Sequence, residues 1–232
     1  MTVQHFTRAD LIGAALGTVL FAYLLVPPGY LFGWIFNLLD FRKQSWPWQV
    51  LLSLLYSVSL VPIVLFLLWN YFPVYVVWMF YGLAGAFMLA VLIWMRKRAA
   101  FRIPAWSVWA ILGWAAAAWL SGIDLQFGNR LYPSVLIYDF NIRTAFIDGI
   151  ARHGLPAMNP LFFPGHSVPL RYHYFWFIPC ALVDRLGGPW VNARQALIAS
   201  DVWCGWALMA IVVAYLRFFH PAGERGIGTR AK

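Results

Sequence analysis

Long apolar runs separated by short polar breaks set the pattern of this chain. The first run, Leu11 to Val26, is stopped by Pro27-Pro28-Gly29. A shorter apolar piece from Tyr30 to Phe41 follows, either extending the span past a kink or lying in the interface, and Arg42-Lys43 closes it. A second run, Trp48 to Trp69, carries Pro62 as a tolerated kink and tryptophans at both ends as an interfacial belt. The uncharged turn Asn70-Tyr71-Phe72-Pro73 leads to a third run, Val74 to Met95, ended by Arg96-Lys97-Arg98 and Arg102. A fourth runs from Pro104 to Leu120, with proline suited to a helix start. The polar stretch Asp124 to Tyr174 then interrupts the pattern. A fifth run, Tyr172 to Val183, is closed by Asp184-Arg185 and Gly187-Gly188, and a sixth spans Ala196 to Phe218 before a short basic tail read as flexible. Several of these runs approach or exceed the roughly 18–20 residues a helix needs to cross a bilayer. The fold class expected is an all-α membrane protein of about six transmembrane helices: four within residues 1–122, one external loop over 123–171 carrying an interfacial helix over 140–153, two more helices within 172–218, and the tail 219–232.

Composition agrees. The 232 residues are 62% hydrophobic, 11% charged and include fourteen tryptophans, against about 45–50% apolar and about 25% charged in soluble domains. A net charge of +9 would point to nucleic acid in a soluble protein. Here most Lys and Arg flank apolar runs, where they set orientation and meet anionic headgroups, so no nucleic-acid partner is expected and membrane lipid is. Cys180 and Cys204 fall inside apolar runs without metal-ligand spacing and read as small hydrophobes. Arg8 makes a weak n-region and no small-x-small cleavage site follows the first run, which is expected to remain as a membrane segment.

Charge orients the spans. The densest basic cluster, Arg96 to Arg102, places the third-to-fourth turn in the cytoplasm. Alternation then puts Arg42-Lys43 and Asp184-Arg185-Arg194 on that side and the Asp124–Tyr174 loop on the periplasmic or external side. The same alternation sends the basic tail outward, against the charge bias, which a chain cut from a longer one would relieve.

Within the loop, Phe140 to His153 reads as an amphipathic helix along the membrane surface. Ile142, Phe146, Ile147 and Ile150 fall on one side and Asn141, Thr144, Asp148 and Arg152 on another, with Asp148 and Arg152 an i,i+4 pair. Gly154 is suited to the C-cap and Pro156 lies just beyond. Asp139 stands at the N-cap and has two readings: it caps orphan N–H groups, or it is a general base that takes a proton from an acceptor hydroxyl.

Asp139, the amphipathic helix, Gly154-Leu155-Pro156, Asn159-Pro160, Pro164-Gly165 and Tyr172-His173-Tyr174 entering a membrane helix together resemble the first large external loop of GT-C-type membrane glycosyltransferases, relatives of the protein mannosyltransferases and the aminoarabinose lipid A transferases. The early Val26-Pro27-Pro28-Gly29-Tyr30-Leu31 is similar to an element near the start of many bacterial members. The resemblance implies a polyprenyl-phosphate-linked sugar donor, inverting transfer on the outer face of a bacterial inner membrane, and Asp139 as catalytic base. It implies no cofactor beyond the donor, and no metal is indicated. Arg143 stands where many relatives have a histidine, four spans precede the loop instead of one, and about six spans fall short of a full enzyme, so a membrane protein supplying further helices is an expected partner.

Arg143, Arg152 and Arg171 are candidates to grip the donor phosphate, since guanidinium matches phosphate bidentately; for Arg152, pairing with Asp148 competes with that role. Tyr172 and His173 form an aromatic edge able to hydrogen-bond sugar or phosphate, or an interfacial belt with one polar tip. Asn159 is a turn residue first and a sugar contact second. His153, His166 and His173 lack the short spacing of a metal site. Asp201, early in the sixth run, is either a functional intramembrane carboxylate or one that is water-exposed or paired with Arg194; Asp124 reads as an interfacial residue. A non-catalytic scaffold and a transporter fragment are the competing readings, the latter opposed by spans that are apolar apart from Asp201, Pro62 and Pro179.

Overall fold

The computed structural model describes residues 6–95, 105–134, 137–162 and 165–219. Its helices are α1 (Phe6–Phe36), α2 (Trp46–Tyr71), α3 (Val74–Trp94), α4 (Ala105–Gly122), α5 (Ile137–His153), α6 (Phe177–Gly187) and α7 (Ala193–Phe219). A 3-10 turn, Leu38–Lys43, joins α1 to α2. A two-stranded hairpin, β1 (Leu125–Phe127) and β2 (Arg130–Tyr132), follows α4. The sequence pattern did not contain that hairpin, because three residues per strand are too few for a period of two to register. The cluster Arg96–Arg102 and the tail from His220 onward lie outside the described residues.

Among the described residues four helices, α1, α2, α3 and α7, are long and apolar enough to cross a membrane, and α4 carries a shorter apolar stretch. Their largely uniform apolarity is what lipid on one side and protein on the other require. The chain is thus of the helical integral-membrane class. α1 is the central helix, packed against α2, α3, α6 and α7.

Pro27-Pro28-Gly29 does not stop α1, which runs unbroken for 31 residues; of the two sequence readings, extension past the prolines holds. Two prolines remove the backbone donors that would meet the Tyr23 and Leu24 carbonyls; one residue on, the Ser57 hydroxyl of α2 donates to the Leu25 carbonyl and ties the two helices together there. Gly29 lets α2 come close enough for this, since a Cβ there would overlap the Ser53 carbonyl oxygen. The helix ends instead at Asn37, in the left-handed conformation that asparagine tolerates.

The fifth expected span is the main departure. α6 has 11 residues, about 16 Å of helix, where a bilayer core needs about 30 Å. Phe177 through Val183 are all buried, so its apolar run is explained by protein on every side; length, not hydropathy, separates the two cases. The segment leading into it dips between helices: Phe175 packs on Phe66 of α2 (ring centroids 4.9 Å) and Trp176 on Phe21 of α1 (6.4 Å). α6 then returns, bringing Arg185 over Trp69 near the end of α2.

The helix ends show the same. Arg194, at the start of α7, holds both Asp124 carboxylate oxygens at 2.6 Å. Thr7 Oγ1, at the start of α1, donates to the Asp124 carbonyl at 2.9 Å and accepts from the Gln126 amide at 2.7 Å. Gln195 Nε2 donates to the Ala9 carbonyl at 3.2 Å. At the other end, Arg217 donates to Gln44 at 3.1 Å and lies 3.9 Å over the Trp48 ring. Asp124, α5, α6, Arg185 and Arg194 therefore share one end of the bundle, correcting the expectation that Asp184-Arg185-Arg194 lie opposite the loop. With no crossing at α6, the end of α7 joins Arg42 and Lys43, and the charge conflict at the C-terminal side disappears.

Candidate functional site

α5 starts at Ile137, three residues earlier than its pattern implies, so Asp139 lies inside the first turn and not at the N-cap. Its polar partner among the described residues is Arg143, which donates to Oδ2 at 3.0 Å. The Asp139 side chain is 71% exposed, neither sealed nor spent on backbone N–H groups. Helical spacing puts Asp139 and Arg143 in line with Phe146, Ile147 and Ile150, the buried residues that hold α5 on α6 and α7. The carboxylate thus sits on the bundle-facing side of α5, beside the buried Phe140, and is itself open to solvent. Ile142, expected on the apolar side, is instead 47% exposed; the buried arc is centred between Phe146 and Ile147 and leaves it out.

Asp201 lies eight residues into α7, about 12 Å from the helix start. Arg194 does not pair with it, being engaged by Asp124; α5, which carries Asp139 and Arg143, packs on α7. The structure therefore pairs Asp139 with Arg143, and sets Asp201 on the helix against which α5 packs. Tyr172 packs on Phe146 and Phe177 with ring centroids 5.4 and 6.2 Å away, and His173 stacks on Tyr172 at 4.1 Å. That edge stands about two turns along α5 from Asp139, near 10 Å. Arg171 is exposed beside it. Asn159 is set apart: its Oδ1 accepts from the Leu161 amide at 3.0 Å, an Asx turn in a loop closed by the Asn159–Val168 and Leu170–Ala157 backbone bonds. Among the described residues no three His, Cys, Asp or Glu side chains gather as metal ligands.

The other end of α5 follows its pattern. Arg152 donates to Asp148 at 2.8 Å, and Gly154, at φ 80°, returns its amide to the Ile150 carbonyl at 2.8 Å. Asp184 of α6 joins this cluster. Burial pushes its carboxyl up to about 6, Asp148 adding to the rise and Arg152 opposing it. An acid whose folded pKa exceeds its unfolded value of about 3.9 destabilises the fold once ionised, above about pH 6, and costs nothing below about pH 4. Asp184→Asn is therefore expected to raise the melting temperature of detergent-purified protein at pH 8, by on the order of 1 kcal/mol after solvent screening, and to leave it unchanged at pH 4. An equal gain at both pH values would refute the titration.

The sequence did not single out three features: the Asp124–Arg194 pair, Asp184, and a cavity lined by Trp69, Arg152 and Arg185. Each joins residues far apart in the chain. The available signal was a carboxylate, Asp124, next to an apolar run, where an unpaired charge is costly. Compared with family models, curated proteins and solved structures, the chain matches none.

Proposed function

We propose that the chain is a GT-C-type membrane glycosyltransferase, or the N-terminal part of one, that moves a sugar from a polyprenyl-phosphate donor to an acceptor hydroxyl with inversion. One observation carries the reading: an exposed carboxylate on the bundle-facing side of α5, steadied by Arg143 at 3.0 Å and with Oδ1 left open among the described residues. In this reading Asp139 Oδ1 takes the acceptor proton as the hydroxyl oxygen attacks the anomeric carbon. The bond from that carbon to phosphate oxygen breaks, and polyprenyl phosphate leaves. Arg143, joined to Asp139 at 3.0 Å, sits where it orients the base or meets the donor phosphate. Tyr172 and His173 supply a stacking edge for sugar, and Arg171 a further cation.

Arg42, Lys43 and Arg217 gather at the far end, where α3 ends and α4 begins. The positive-inside bias then directs α5 to the external or periplasmic face of a bacterial inner membrane, where lipid-linked sugars are used. The test is transfer by the full chain in proteoliposomes supplied with a polyprenyl-phosphate sugar. Asp139→Asn is expected to lower the rate at least about 100-fold, the lower bound for a general base, with the melting temperature retained. Wild-type transfer that survives the substitution would remove Asp139 from the mechanism.

A further inference from the structure

A cavity of about 280 Å³ opens between the α2–α3 turn and the C-terminal end of α5. Arg152, His153 and Arg185 line it against Trp69 and Phe72, and no acidic side chain is among its described lining. Arg185 is held in place: Nη1 donates to the Ala151 carbonyl at 3.2 Å, and the guanidinium carbon lies 5.6 Å from the Trp69 ring centroid. Asp148 takes Nε of Arg152 at 2.8 Å. Among the described residues, Arg152 therefore keeps both terminal nitrogens, and Arg185 keeps Nε and Nη2, for a ligand. Gly154 keeps the chain flush with the wall, since a Cβ there would approach Trp69 Nε1 to 3.2 Å.

The dipole of α5 favours cations at its last turn. It does not explain an aromatic-floored cavity or donors left over once the helix carbonyls are met. Depth adds to the case. Tyr71, Phe72 and Tyr75 are exposed around the mouth, and exposed aromatics at helix ends mark the headgroup level. Guanidinium groups with paired N–H donors fit phosphate, and partial shielding from water strengthens the contact.

We propose that this cavity binds a phosphate group, that of an anionic phospholipid headgroup or a free phosphate. It lies thirteen residues along α5 from Asp139, about 20 Å, and the inference does not rest on sugar transfer.

The full chain in neutral detergent is titrated with phosphatidylglycerol and with phosphatidylcholine by native mass spectrometry, with and without millimolar inorganic phosphate. Phosphatidylglycerol is expected to bind more tightly than phosphatidylcholine, and Arg152→Gln and Arg185→Gln each to weaken it about tenfold. Arg130→Gln, on the exposed hairpin at the same end, is expected to leave binding unchanged. Displacement by inorganic phosphate supports the site with a free phosphate as its ligand; tight phosphatidylglycerol binding that phosphate does not displace supports the site with a headgroup. Should Arg185→Gln fail to fold, Arg152→Gln decides, because its guanidinium is exposed and bears little packing. Equal binding of the two lipids without phosphate competition, or a loss from Arg130→Gln as large as from Arg152→Gln, overturns the proposal.

Discussion

Asp124→Ala is expected to lower the stability of the detergent-purified protein by about 2–4 kcal/mol, read as a drop in melting temperature. The range is the cost of removing one partner from a buried pair, reduced because Arg194 keeps 23% of its side-chain exposure. Two contacts at 2.6 Å make the pair bidentate, and more than the pair is lost. Asp124 Oδ1 also accepts from the Ser134 amide at 2.8 Å, while Arg194 Nη2 donates to the Gly122 carbonyl at 3.0 Å. Removing the carboxylate leaves the guanidinium without its bonded counter-charge where α1, α4 and α7 meet, with only Asp10, not bonded to it, nearby among the described residues. Arg194→Ala in the same background should add less than it costs alone, since the unpaired charge is then gone. The pH dependence has a fixed sign. The hydrogen bond from Arg194 holds the Asp124 carboxyl below the usual carboxylate range, against a smaller opposing effect of burial. A depressed folded pKa gives stability that is complete above the unfolded value of about 4 and is lost as pH falls through the folded one. The wild-type advantage over Asp124→Ala should therefore hold at pH 7 and narrow below pH 4. A melting temperature unchanged by Asp124→Ala would show that the pair locks nothing.

That pair also measures what the sequence could disclose. Hydropathy and turn residues located α2, α3 and α4 to within a few residues, because a lipid-facing helix must be apolar for most of its length and its ends carry proline or charge. The i,i+4 pair Asp148–Arg152 and the Gly154 cap were legible for a similar reason: both are set by helix geometry within one or two turns. Three features were not. Phe177 to Val183 of α6 reads as part of a span, but its cover is protein, and composition does not tell one apolar surrounding from another. α1 runs on through Pro27-Pro28 packed against α2, where Ser57, thirty-two residues on, bonds to the Leu25 carbonyl. Arg194 and Asp124 meet across seventy residues. Since α6 does not cross, every later side assignment reverses, and the apparent excess of positive charge on the loop side was the trace of that error in the sequence. For the candidate site, the residues were legible and their grouping was not. Asp139, Arg143 and Tyr172 converge on one side of α5, Asp201 lies on α7, the helix α5 packs against, and Asn159 is consumed by its own turn.

Gly29→Leu is expected to have the largest effect of any single change in the membrane helices, loss of the monodisperse folded protein in detergent. α1 and α2 make the most extensive helix pair in the bundle, and at Gly29 their backbones touch. A Cβ there would overlap the Ser53 carbonyl oxygen and crowd the Ser57 hydroxyl. Neither can yield: the carbonyl belongs to a rigid helix, and the hydroxyl is bonded to Leu25 beside the two prolines. Overpacking costs about 1–3 kcal/mol where side chains can shift, and more is expected where backbone must separate, because the close approach of small residues is what drives membrane helices together. Gly82→Leu is the matched control. It lies on α3 with nothing within 4 Å of its would-be Cβ, so a leucine there should leave the melting temperature within a degree or two. The damage from Gly29→Leu should also reach the loop end, since α2 carries Phe66 under Phe175 and Trp69 under Arg185. Displacing α2 would loosen both the re-entrant segment and the phosphate cavity. Gly29→Ala grades the effect, adding only the first carbon, and should fall between wild type and leucine in melting temperature. If Gly29→Leu melts like Gly82→Leu, the α1–α2 contact at Gly29 is not the close backbone approach that excludes a Cβ.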